Sequence, residues 1–213
     1  MRKIILLSTL AILLISATQA QIKPDYDKSR VKKTTPAPAP APAPVNKTTG
    51  TESTPALVYN LTAVRVKIRT GSDNKEFPSQ VAAFIGLRNQ AKNQPFSFNQ
   101  FSLTNEMRIN SDTEIGLDRN SNLVGETKLE AFQSSGLIFI IRYSPNLIFD
   151  AWKIENVTLV LEFRDQFGNL HPTLGSKTIV FNNAYGFLNN SYRFMECVTD
   201  GSFAPMTAVI KLG

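Results

Sequence analysis

FDAWKIENVTLVLEF, residues 149–163, holds the only tryptophan of the chain, followed by an alternating apolar run. Trp152 and Ile154 share one parity, whereas Val157, Leu159, Leu161 and Phe163 share the other. Side chains alternate faces along a strand, so both sets point inward only across an irregular step at Glu155-Asn156. The stretch therefore reads as a long strand with a bulge near its start. Trp152 becomes an inward plug at the strand's entrance rather than a ligand platform.

Outward from that stretch the same period of two recurs. Val64, Val66 and Ile68 alternate with Arg65, Lys67 and Arg69, a half-buried strand with a basic outer face. SQVAAFIGL, FSFNQFSL, GLIFIIRY, KTIVF, SYRFMECV and TAVIKL supply further strands. Turn-rich clusters such as RTGSDNKEFP, INSDTEIGLDRNSN, DQFGNLHPTLGS and VTDGSFAP separate them. GLIFII is apolar at both parities, which marks a central strand. With no convincing amphipathic helix, the pattern predicts an all-β fold, a two-sheet antiparallel β-sandwich.

The sandwich is expected over residues 56–213, a length that buries one substantial core. Residues 1–20 read as a signal peptide: Arg2 and Lys3, an apolar stretch, then Ala17-Thr18-Gln19-Ala20. Residues 21–55 form a linker rich in Lys, Pro and Ala, whose alternating Pro and Ala predict an extended, semi-rigid spacer. The expected address is secreted, periplasmic or cell-surface, with no transmembrane segment in the mature chain. The formal charge of +6 does not point to nucleic acid. The linker carries six basic against three acidic residues, and from Ala56 onward 15 basic face 14 acidic, so the folded part has no one-signed patch. Cys197 is the sole cysteine, lies in the apolar alternation YRFMECV and is expected in the core.

Catalytic signatures are missing from the sequence. One histidine, His171, cannot build a multi-histidine zinc site, and FGNLHP places it in a turn. No Gly-x-Ser-x-Gly elbow, phosphate loop or dinucleotide fingerprint occurs. DRNSN at 118–122 imitates the opening of a calcium loop, but Leu123 replaces the turn glycine and Leu129 the closing glutamate. The chain therefore reads as a non-enzyme. Tyr185 and Phe187, aromatic residues among turn formers, are candidate ligand contacts, with capping of the sandwich ends as the structural alternative.

The order of these features resembles PLAT (lipoxygenase-homology) domains of bacterial-type secreted proteins. VRVKIRTGSDNKEFPSQVAAFIGL matches an opening strand, a Thr-Gly turn at Gly71 and a Ser-x-Val entry to the next strand. SGLIFIIRYSPNLIFDAWKIENVTLVLEF matches the later half, including the offset around Trp152 and Ile154. Arg88 to Gln133 is unmatched, and no closing Cys/Arg-Trp pattern follows Phe181. The resemblance implies a β-sandwich that binds a lipid surface, a glycan or a protein partner through edge loops, at times with calcium. It carries calcium ligation onto Asp73 and Asn74 in the turn after Gly71 and onto Asp150, and Asp112 in NSDTEIG is a further oxygen donor. These residues read equally well as turn formers that satisfy local amides. A structural or adhesion component of a cell envelope, acting through sheet surfaces, is the competing expectation.

Overall fold

A computed structural model describes residues 55–90, 94–119, 125–182 and 186–213. The expected signal peptide, and the expected linker up to residue 54, lie outside the described residues. Among the described residues nine strands and one short helix follow in order: β1 Asn60–Thr70, β2 Gln80–Leu87, β3 Phe98–Leu103, β4 Asp112–Arg119, α1 Leu129–Ser135, β5 Leu137–Ser144, β6 Ile154–Arg164, β7 Ser176–Asn182, β8 Phe194–Thr199 and β9 Pro205–Lys211. The fold is thus all-β, and every strand pairing is antiparallel.

The strand order is β7-β6-β1-β4-β3-β2-β5-β8-β9, one continuous sheet rather than two separate ones. Its halves join at a short ladder, Phe98↔Arg119 and Asn99↔Asp118. The outermost strands, β7 and β9, approach each other, so the sheet is nearly closed. Inside, Val64, Val66, Ile68, Leu159 and Leu161 from one half meet Ile85, Phe139, Ile141, Met195 and Cys197 from the other in a single core. Cys197 is fully buried, and burial pushes its thiol up to about 12. An inert apolar thiol is the result.

The parity switch in β6 has a direct structural counterpart. Arg69 pairs with Asn156, but Thr70 pairs with Ile154, so Glu155 is the extra residue of a bulge. Trp152 and Ile154 on one side, and Val157, Leu159, Leu161 and Phe163 on the other, are all fully buried. A regular strand would have turned one set to solvent.

Two elements depart from the sequence reading. β4 occupies part of INSDTEIGLDRNSN, which the sequence analysis assigned to a turn. Its outward residues Asp112 and Glu114 look like turn formers, yet they lie opposite Arg69 and Lys67 of β1, and Ile115 and Leu117 alternate with them toward the core. Opposite charges across a ladder stabilise the pairing. The helix α1 was also unexpected. Seven residues offer only two buried positions, Leu129 and Phe132, too few to register as a helical period. It ends at Gly136, whose φ of 77° favours glycine and where a Cβ would sit 2.3 Å from the Thr199 carbonyl oxygen.

Candidate functional site

The ladder register places the ends of many strands together. Thr70 lies beside Ile154, Arg69 beside Asp112, Gln80 beside Ser144, and Arg142 beside Phe194. The connections 71–79, 104–111 and 145–153 therefore emerge at one end, joined there by the described residues 186–193. Hydrogen bonds tie these loops to one another. Gly71 N–H donates to the Lys153 carbonyl at 2.8 Å, and the Gly71 carbonyl accepts Asn110 N–H at 3.0 Å. A Cβ on Gly71 would meet Lys153 and Glu155 side-chain carbons at 2.9 and 2.8 Å, so this glycine serves close loop approach.

Trp152 anchors the arrangement from below. Its backbone exchanges two hydrogen bonds with Leu188, at 2.8 and 3.0 Å, and its indole Nε1 donates to Thr70 Oγ1 at 3.2 Å. Its ring lies 5.8 Å from that of Tyr143. Tyr143 is buried, and no hydrogen bond of acceptable geometry reaches its Oη. Burial raises the phenol's pKa above its ordinary value; nearby Ser79 opposes this, and the charges of Asp150, Glu76 and Asp73 add to the rise.

Above the tryptophan, Asp150 closes the 145–153 loop. Its Oδ2 accepts Ser79 Oγ–H at 2.8 Å, Leu147 N–H at 3.1 Å and Asn146 N–H at 3.2 Å. Ser79 Oγ also accepts Asn146 N–H at 2.9 Å. The carboxylate is buried, and its hydrogen bonds are made within the protein. It thus clamps the 145–153 loop to the end of the 71–79 loop.

Lys75 makes the second tie. Its side chain is fully buried, and Nζ donates to the carbonyls of Asn105, Thr104 and Glu76 at 2.8, 2.9 and 3.3 Å. Its backbone exchanges two bonds with Met107, at 3.1 and 3.0 Å. Burial pushes the ammonium down to about 8, while three carbonyl oxygens at Nζ favour the charged form. A side-chain cation thereby joins the 71–79 and 104–111 loops through carbonyl oxygens, the ligand type a hard metal ion would use.

The four oxygen donors proposed for calcium are distributed differently. Asp112 stands on β4 in ion pairs with Lys67 at 3.0 Å and Arg69 at 3.8 Å. Asp73 offers its backbone carbonyl to Lys153 N–H at 3.1 Å, and Asn74 Nδ2 donates to Glu106 Oε1 at 3.5 Å. Asp150 is engaged as described. Among the described residues no group of three His, Cys, Asp or Glu side chains is placed to hold a metal ion. Of the aromatic candidates, Phe187 is partly exposed at this end, with Lys153 Nζ 5.0 Å from its ring centroid. Tyr185 lies outside the described residues. His171 sits at the opposite end, where Nδ1 accepts the N–H groups of Leu174 and Thr173.

What these ties present is apolar. Leu147, Ile148 and Phe149 are 60, 67 and 93% exposed, and Phe77 of the neighbouring loop is 70% exposed. The stretch SPNLIFDAW carries no strand alternation, and the sequence analysis draws no surface role from it. The available signal was three consecutive large apolar residues between turn formers, Pro145-Asn146 and Asp150. Among the described residues no helix is long and apolar enough to cross a membrane. No protein family, curated protein or solved structure matches this chain, and nothing in those comparisons identifies a PLAT domain.

Proposed function

We propose that the domain is an exported, non-catalytic binding module that engages a lipid surface through this loop end. One observation carries the reading: Leu147-Ile148-Phe149 stands exposed on a loop whose base is clamped by the buried Asp150 carboxylate. Exposing three large apolar side chains in succession is unfavourable in water, and a preorganised loop loses little entropy when they enter an apolar phase. Leucine and isoleucine offer a glycan neither hydrogen bonds nor a flat ring, which favours lipid over sugar. Phe77 on the adjoining loop widens the apolar area. In this reading Lys75 supplies the cation that joins the loops, so engagement proceeds without added calcium.

Co-sedimentation with phosphatidylcholine vesicles, with chelator or with millimolar calcium, tests it. Wild-type protein is expected in the vesicle pellet under both conditions, and Leu147→Ser/Phe149→Ser in the supernatant with an unchanged melting temperature. Wild-type protein that stays in the supernatant with every vesicle composition would overturn the proposal.

A further inference from the structure

The loop end carries no net charge. In residues 71–79, 104–111, 145–153 and 186–193 the buried Asp150 and Lys75 cancel, and Asp73, Glu76 and Glu106 balance Arg108, Lys153 and Arg193. The two signs are nevertheless engaged differently. Arg108 Nε lies 3.7 Å from Glu106 Oε2. Lys153 Nζ donates to the Gly186 carbonyl at 3.2 Å and stands over the Phe187 ring. Arg193 donates from Nε to the Asn190 carbonyl at 2.9 Å and from a terminal guanidinium nitrogen to Asn190 Oδ1 at 2.6 Å. Each of these three cations is tied into the loops. Among the described residues the carboxylates of Asp73 and Glu76, by contrast, accept no hydrogen bond and form no ion pair. Burial is the first cause of the raised Tyr143 pKa, and the charges of Asp150, Glu76 and Asp73 add to it, which places both open carboxylates near the clamp. Glu76 also directly precedes the exposed Phe77, and Ile109 of the 104–111 loop adds a further apolar tip at 51% exposure.

We propose, resting on the lipid engagement argued above, that the loop end selects zwitterionic lipid, with the open Asp73 and Glu76 carboxylates facing the ammonium groups of choline headgroups. Attraction to an anionic surface comes from lysine and arginine held close to it. Here those groups in the loops are tied to their own neighbours, and the carboxylates left open are repelled by negative lipid. Arg142, which forms no ion pair among the described residues, lies two residues inside β5 and not in the loops. In a phosphatidylcholine surface the ammonium lies outward of the phosphate, so carboxylates flanking an inserted Leu147–Phe149 tip meet a complementary charge. A quaternary ammonium also rests favourably on an aromatic face, which the exposed Phe77 and Phe149 offer.

Co-sedimentation of the full chain with vesicles of phosphatidylcholine, and of an equal mixture with phosphatidylglycerol, reads the selection at low and at near-physiological salt. Wild type is expected to bind pure phosphatidylcholine several-fold more tightly than the mixture at low salt, and the difference to shrink as salt screens the charges. Asp73→Lys/Glu76→Lys is expected to reverse the order, gaining about tenfold on the mixture at an unchanged melting temperature. Equal wild-type binding to both vesicles, or tighter binding to the mixture, overturns the selection while lipid engagement stands. A folded double variant that keeps the wild-type order overturns it as well. Wild type left in the supernatant with both vesicles removes the lipid reading itself, and the selection with it.

Discussion

Asp150 at the loop end and Asp165 and Asp200 at the opposite end all accept backbone N–H groups of their own turns, but their reach differs. Asp165 takes Asn169 and Phe167 N–H at 2.8 and 2.9 Å, and Asp200 takes Ser202 and Ala204 N–H, both at 2.9 Å, with Ser202 Oγ–H at 2.7 Å. Every one of those partners lies within four residues. Asp150 adds Ser79, 71 residues away, and Trp152 below it bonds Thr70, 82 residues away. The two far-end carboxylates thus bond only within their own turns, whereas Asp150 bonds from one loop to another. Rigidity of that kind suits a surface that must present apolar side chains without collapsing over them.

The contrast predicts unequal losses. Removing the shared plug has the largest effect: Trp152→Ala is expected to cost about 3–5 kcal/mol in denaturant unfolding. Phe167→Ala, a truncation of an exposed aromatic in a far-end turn, should stay within about 0.5 kcal/mol. Equal losses would break the comparison.

Lys75→Met leaves three carbonyls without their donor and is expected to cost about 2 kcal/mol at neutral pH, with amide exchange rising in both tied loops. The pH dependence has a defined sign. Lys75 titrates at about 8 when folded and at 10.5 in its unperturbed state. Between those values the unfolded chain binds the extra proton, so this group makes stability rise with pH. Chemical unfolding at pH 7 and pH 10 should therefore show wild type gaining on Lys75→Met, by up to about 3 kcal/mol. An unchanged difference would mean that the three carbonyls hold the ammonium's pKa near its ordinary value.

Asp150→Ala comes next, at about 2 kcal/mol, since it strips the acceptor from Leu147 N–H and the Ser79 hydroxyl and leaves Asn146 N–H only Ser79 Oγ. It is expected to weaken vesicle binding as well, by loosening the Leu147–Phe149 tip. A loss of stability with vesicle binding intact would separate the clamp from the function.

Legibility in the sequence followed how local the cause was. The offset between Ile154 and Val157 is written in adjacent residues, and it placed both the bulge and the buried tryptophan. β4 was hidden because Asp112 and Glu114 become strand residues only opposite Arg69 and Lys67, more than forty positions earlier. Lys75 was invisible for the same reason: its acceptors, the carbonyls of Thr104 and Asn105, carry no side-chain signature. Of the oxygen donors assigned to calcium, Asp73, Asn74 and Asp150 lie in loops and Asp112 opens β4. Their partners, Ser79, Lys153 and Glu106, depended on which loops the sheet brings together. The continuous sheet was equally hard to foresee, since two residue pairs between β3 and β4 decide it.

The smallest effect belongs to the far-end turns and separates them from the loop end by acid titration. Asp200 has a lowered pKa, from the Ser202 hydroxyl first and then the Ala204 and Ser202 N–H groups. For Asp165 burial acts upward, but hydrogen bonds from Asn169, Phe167 and Gly168 outweigh it and the pKa is again lowered. A carboxylate depressed in the folded state stabilises above its unfolded value of about 3.9 and loses that contribution as pH falls through the folded value. Asp165→Asn/Asp200→Asn should therefore melt slightly below wild type at pH 7 and converge with it as the pH drops below about 4. Because the hydrogen bonds of these two carboxylates stay within their own turns, vesicle binding by the double variant should match wild type at pH 7. Lost binding would mean that the two ends are coupled through the core, and the contrast between local and long-range carboxylate bonds would carry no functional weight.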